Sequence, residues 1–121
     1  MYEIKVRTDF SAAHNLKNYH GKCENLHGHN WYVEAVFAYK KLDKDGMAVD
    51  FRIAKKLVRD VTDKLDHSYL NELKILRGIN PTSEKVAKFI YDEVKRSNKN
   101  IKSVAVWENE NSCAIYTGGG R

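Results

Sequence analysis

The chain has 121 residues, 42% of them hydrophobic, and 21 Lys plus Arg against 16 Asp plus Glu, for a formal net charge of +5. That length, with no Ser/Pro/Gly-rich stretch in the interior, fits one domain over residues 1–121 whose small core leaves apolar surface for self-association. The basic residues are interleaved with acids, as in residues 40–45 and 55–64, and form no basic block, so nucleic acid is not the expected partner and an anionic small molecule is favoured.

Residues 1–10 alternate charged and apolar side chains and hold no apolar stretch fit for a signal-peptide core. The longest apolar run, residues 35–39, is far short of the roughly 18 a membrane helix needs. No membrane association is expected, and a cytoplasmic location is. In that setting the two cysteines, Cys23 and Cys113, are expected as free thiols.

Tyr2, Ile4, Val6 and Thr8 alternate with Glu3, Lys5 and Arg7, the period of a half-buried strand that runs on toward His14. A polar loop over residues 15–25 follows, with His20 expected in solvent. Residues 27–39, rich in Trp31, Tyr32, Val33, Val36, Phe37 and Tyr39, read as a second strand paired antiparallel to the first. Asp43, Asp45 and Gly46 mark a turn over residues 40–46, and residues 47–49 read as a short extended piece. Ile53, Leu57, Val61 and Leu65 then recur every four residues behind Asp50, a candidate N-cap, which predicts an amphipathic helix. A second helix is predicted from Thr82, its N-cap, just after Pro81, with Val86, Phe89, Ile90 and Val94 on one face. Two closing strands, residues 101–108 and 112–116, flank the polar link Asn109, Glu110 and Asn111, and residues 118–121 are expected as a mobile tail. The order strand, strand, helix, helix, strand, strand predicts an α+β fold.

The segment Cys23-Glu24-Asn25-Leu26-His27-Gly28-His29 carries the chemistry. Side chains at i and i+2 of a strand share a face, so His27 and His29 project together from Cα atoms roughly 6.6 Å apart. That spacing suits two imidazoles on one ion, and His14, near the end of the partner strand, supplies a third nitrogen. Three histidines leave one tetrahedral position open, the layout of a catalytic zinc. Cys23 has three readings: a fourth ligand closing a structural site, a buried small hydrophobe, or a thiol activated beside the metal. Cys113, in a strand, is expected to pack. Asp66-His67, expected at the end of the first helix, reads either as a dipole-stabilised histidine or as a proton carrier. Glu108 either marks a turn or accepts paired N–H donors from a flat heterocycle. Thr82, Ser83 and Glu84 either cap the second helix or hold a polar ligand at its N-terminus.

The blocks Phe10-Ser11-Ala12-Ala13-His14, Cys23-x3-His27-Gly28-His29, Asp50-Phe51, Leu65-Asp66-His67, Pro81-Thr82-Ser83-Glu84 and Trp107-Glu108 follow one another as in the 6-pyruvoyltetrahydropterin synthase and 6-carboxytetrahydropterin synthase family, which the chain resembles over nearly its whole length. The resemblance implies the T-fold: a four-stranded antiparallel sheet with two helices on one face, assembling into barrels as a homohexamer, a dimer of trimers, with active sites between subunits. It implies one Zn²⁺ per subunit on His14, His27 and His29, with Cys23 as the proton-abstracting base and Asp66 and His67 completing a catalytic triad from a neighbouring subunit. Glu108 would anchor the pterin ring, and Thr82, Ser83 and Glu84 would line its pocket. The implied substrate is 7,8-dihydroneopterin triphosphate. Three residues between the cysteine and His-Gly-His resemble the 6-carboxytetrahydropterin synthases of queuosine biosynthesis, whereas the biopterin branch has five. The alternative activity is therefore 6-pyruvoyltetrahydropterin formation, and the alternative from another class is a non-catalytic module with a closed Cys-His₃ zinc site. Asn109 stands where the family often has Thr.

Overall fold

The computed structural model describes residues 1–17 and 25–118. Cys23, His20 and most of the polar loop lie outside the described residues, as do the last three residues of the expected tail.

Strands β1 (Tyr2–His14) and β2 (His27–Tyr39) form one antiparallel ribbon, in register from Tyr2↔Tyr39 to His14↔His27. The alternation read from the sequence decides which face is covered. Val6, Thr8, Phe10, Ala12 and His14 of β1 and Trp31, Val33, Ala35 and Phe37 of β2 are buried, while Lys5, Arg7 and Tyr32 face outward. Across the sheet, β4 (Ile101–Trp107) runs antiparallel to β2, with an irregularity between Val36 and Phe37, and β5 (Cys113–Tyr116) runs antiparallel to β4.

Both helices cover the same face. Helix α1 (Phe51–Thr62) lies over β1, and α2 (Ser83–Lys95) lies over β4 and β5. Each starts at the expected cap: Asp50 accepts the Arg52 N–H and Thr82 accepts the Lys85 N–H. The buried stripe of α2, Val86, Ala87, Ile90, Tyr91 and Val94, keeps the predicted face except for Phe89, which is only partly covered. Helix α1 departs further: Ala54, Val58, Val61 and Thr62 are buried, while Ile53 is 57% exposed. A row spaced by four winds around a helix of 3.6 residues per turn, so a line drawn through Ile53, Leu57, Val61 and Leu65 meets the core only at its later end.

Among the described residues the sheet has five strands and is mixed, not four-stranded and antiparallel as expected. Past α1 the chain turns back along the outer edge of β1, and β3 (Ser68–Tyr69) pairs with it in parallel, Ala12↔Ser68 and Ala13↔Tyr69. Two residues are too short for a period of two to register. The strand order is β3-β1-β2-β4-β5. Two short 3₁₀ turns, Leu70–Glu72 and Lys74–Leu76, also unforeseen, bury Leu70 and Leu76 on the way to α2. Residues 47–49 form no strand.

The core is anchored below the ribbon's end by Trp31, which stacks on Phe10 with ring centroids 5.5 Å apart and donates its indole N–H to the Ala12 carbonyl at 3.1 Å. Among the described residues no helix is long and apolar enough to cross a membrane.

Candidate metal centre

His14 ends β1 and His27 begins β2, and the two are direct cross-strand partners. His29, two residues on, shares their face, so the antiparallel register turns three positions spread over 16 residues into one cluster. Their candidate ligand nitrogens all lie within 4.8 Å of one another. Trp31 forms the floor, meeting His14 and His29 edge-on at centroid distances of 4.8 and 5.6 Å.

Backbone carbonyls orient two of the rings. His14 Nδ1 lies 2.8 Å from the Pro81 carbonyl oxygen and His27 Nδ1 lies 2.9 Å from that of Asn25. A carbonyl only accepts, so each Nδ1 carries the proton and each Nε2 of the neutral ring presents a lone pair. Those two Nε2 atoms face each other at 3.1 Å, and Glu108 Oε1 stands 3.2 Å from His14 Nε2. Three acceptor atoms at such range repel unless a metal ion, or a proton on one of the Nε2 atoms, sits among them. Nitrogen donors with carbonyls fixing their far sides match what zinc takes from imidazole, so the donor set fits the ion that the sequence implied.

Glu108 follows β4 directly. The register Tyr32↔Trp107, continued by one residue, sets it across from Trp31 and hence on the histidine side of the sheet. When a proton rather than a metal ion lies between it and His14, the hydrogen bond from His14 is the largest influence holding its carboxyl below the usual carboxylate range; burial opposes this, and His29 and the Ser83 hydroxyl add to the lowering. The same side chain lines a cavity of about 190 Å³ with Ser83, Glu84, Asn109, Ser112 and Cys113. Ser83 and Glu84 thus share one cavity with Glu108. Thr82 is not among the lining residues; its hydroxyl is engaged in capping α2. Asn109 accepts the Asn111 N–H at 2.8 Å and so holds the β4–β5 link. Cys113, expected as packing, is half-buried and reaches this cavity.

Asp66 and His67 lie elsewhere. They follow the end of α1 rather than forming it, because the helix stops at Thr62 and residues 63–67 are turns. Asp66 Oδ1 accepts the Ser11 N–H at 2.8 Å, and the His67 N–H donates to the Ser11 carbonyl at 2.6 Å, so both edge groups of Ser11 are used. The Ser11 N–H is the largest influence lowering the Asp66 pKa; burial opposes it and His67 adds a smaller lowering. His67 Nδ1 pairs with Asp66 Oδ2 at 3.1 Å, with the imidazole 83% exposed. His67 also has φ +54°, the one non-glycine residue with positive φ among those described. Beside the dyad, a cavity of about 460 Å³ runs from His67 over Ser11, Gly28 and Asn30 to His29.

Sequence reasoning did not find the Pro81 and Asn25 carbonyls, since a backbone acceptor leaves no residue-type signal. Trp31 was legible as a strand residue but not as the floor of the site.

The family model for 6-pyruvoyl tetrahydropterin synthase matches residues 3–119. The chain is 39% identical over 111 residues to a protein of Archaeoglobus fulgidus provisionally named 6-carboxy-5,6,7,8-tetrahydropterin synthase, covering 92% of this chain and 91% of that one. It is 34% identical over 125 residues to the 6-pyruvoyl tetrahydrobiopterin synthase of Dictyostelium discoideum, covering 93% of each. Among solved structures, the 6-pyruvoyl tetrahydropterin synthase of Caenorhabditis elegans superposes with a TM-score of 0.86 at 27% identity, over 98% of this chain and 96% of that one.

Proposed function

The chain belongs to the 6-pyruvoyl tetrahydropterin synthase family, and from that membership and the histidine cluster we propose that it is a zinc-dependent lyase acting on 7,8-dihydroneopterin triphosphate. The products are 6-carboxy-5,6,7,8-tetrahydropterin, acetaldehyde and triphosphate, with one water consumed. The observation that carries this is the convergence of His14 and His27 Nε2 at 3.1 Å with the Glu108 carboxylate beside them. Relatives named 6-carboxy-5,6,7,8-tetrahydropterin synthase and the three-residue spacing from Cys23 to His27 favour this product, and with it a cytoplasmic role in queuosine biosynthesis. The Dictyostelium relative supports a second reading, 6-pyruvoyl product formation without acetaldehyde.

When bound, one zinc per subunit would supply Lewis-acid polarisation of the substrate's side-chain oxygens. His14, His27 and His29 would hold it. Glu108 accepts two N–H groups of the pterin ring, with Ser83 and Glu84 walling the pocket and Thr82 fixing the start of α2. Cys23 removes the side-chain proton, and the Asp66–His67 pair relays a second.

That pair lies along the outer edge of β1, which suggests that it serves a neighbouring subunit. The sheet also favours assembly. Most of β1 and all of β5 are its outer edges, and an apolar groove of about 590 Å³ lined by Tyr2, Ile4, Leu42, Met47 and Phe51 adjoins the first edge. Head-to-tail pairing of unlike edges closes a ring, in keeping with barrel-forming trimers joined as a hexamer. Mass spectrometry of the products made from dihydroneopterin triphosphate tests the reading. A 6-carboxy product with acetaldehyde is expected; a 6-pyruvoyl product moves the chain to the second reading, and unconsumed substrate refutes both.

A further inference from the structure

Glu108 stands at two sites at once. Its Oε1 is 3.2 Å from His14 Nε2, the nitrogen that also faces His27 Nε2 at 3.1 Å, and its side chain lines the cavity with Ser83 and Cys113. Donors held roughly 2.0–2.1 Å from one tetrahedral ion are separated from each other by roughly 3.3–3.4 Å. The two contacts around His14 Nε2 are close to the edges of such a tetrahedron, with Glu108 at a corner.

Charge argues the same way. Three neutral imidazoles leave the double charge of the ion uncompensated, and Glu108 is the carboxylate placed against His14. The side chain also has freedom to leave. It sits one residue beyond the β4 ladder and is 27% exposed, whereas His14 is 1% exposed and fixed by the Pro81 carbonyl.

We propose that Glu108 is the fourth metal ligand of the substrate-free protein and that it swings to the cavity when a pterin ring enters, so that ring binding opens the metal position. The inference rests on the zinc reading above. Its consequence is order: the metal is closed to water and stray ligands until the heterocycle has arrived. One carboxylate, by serving the two sites in turn, couples recognition of the ring to exposure of the ion.

The test uses the full chain loaded with cobalt(II), whose visible absorption reports its ligands, titrated with imidazole. Imidazole is neutral, so repulsion by the carboxylate does not enter. Wild-type protein is expected to need roughly tenfold more imidazole, or beyond, than Glu108→Gln for the same spectral change. Adding unsubstituted pterin to wild-type protein is expected to bring its curve to that of the variant, an arm that needs no substitution. Identical imidazole curves for wild type and Glu108→Gln, or a wild-type curve unmoved by saturating pterin, would overturn the inference alone. Stoichiometric cobalt retained at full affinity by His27→Ala would overturn the metal reading and the inference together.

Discussion

His14 is 1% exposed and His67 is 83% exposed, although both lie at the same end of β1. His14 and its companions are set by a continuous antiparallel register, carbonyls behind two of the rings and an indole below, so one chain assembles the whole cluster. His67 has a carboxylate on one side, open solvent on the other and a left-handed backbone. The contrast teaches that the first group is assembled within one chain, whereas the second is an exposed pair at the edge of the sheet, as a role shared with a neighbouring subunit would require.

The comparison breaks first at the metal. If zinc binding is worth about 10–16 kcal/mol spread over four ligands, His27→Ala should weaken it roughly 10²–10³-fold, measured by chelator competition, and abolish turnover. Removing the thiol separates chemistry from binding: Cys23→Ala should keep the metal and lower kcat by roughly 10²–10⁴-fold in steady-state assays. On the exposed side, His67→Ala should lower kcat by about 10²-fold at unchanged metal affinity. Mixed oligomers of the Cys23 and His67 variants should regain part of the activity; no recovery on subunit exchange would place the dyad in its own chain's site.

The smallest effect concerns Asp66. Its pKa is depressed in the folded protein, so its contribution to stability is present above the ordinary value of about 3.9 and lost as pH falls through the lower folded value. Asp66→Asn should therefore lower the urea midpoint slightly at pH 6, and the gap to wild type should close by the acid end of that window. A gap that persists there would show that the Ser11 contact acts through geometry alone.

Much of this was legible in the chain. The alternation from Tyr2 to Thr8 and the β-rich run from Trp31 to Tyr39 gave both long strands, Asp50 and Thr82 cap the helices they were assigned to, and His14, His27 and His29 meet as their spacing required. What escaped depended on tertiary pairing. Strand β3 is two residues long, α1 turns Ile53 to solvent because a four-residue spacing drifts around the helix, and the contact of Glu108 with His14 joins residues 94 apart in sequence. The dyad's position beyond α1 hinged on where the helix ends, a boundary that periodicity locates poorly.

The bonds from Asp66 and His67 to Ser11 also act as a stop. A strand arriving at the outer edge of β1 finds free ladder positions from Tyr2 toward Phe10 and then meets a stretch already occupied. It cannot slide farther toward His14, so the range of sliding that makes edge pairing ambiguous is cut off at one end. The length of exposed edge that remains still accommodates a strand as short as β5, and the carboxylate that steadies the imidazole doubles as the marker that sets how far a neighbour can advance.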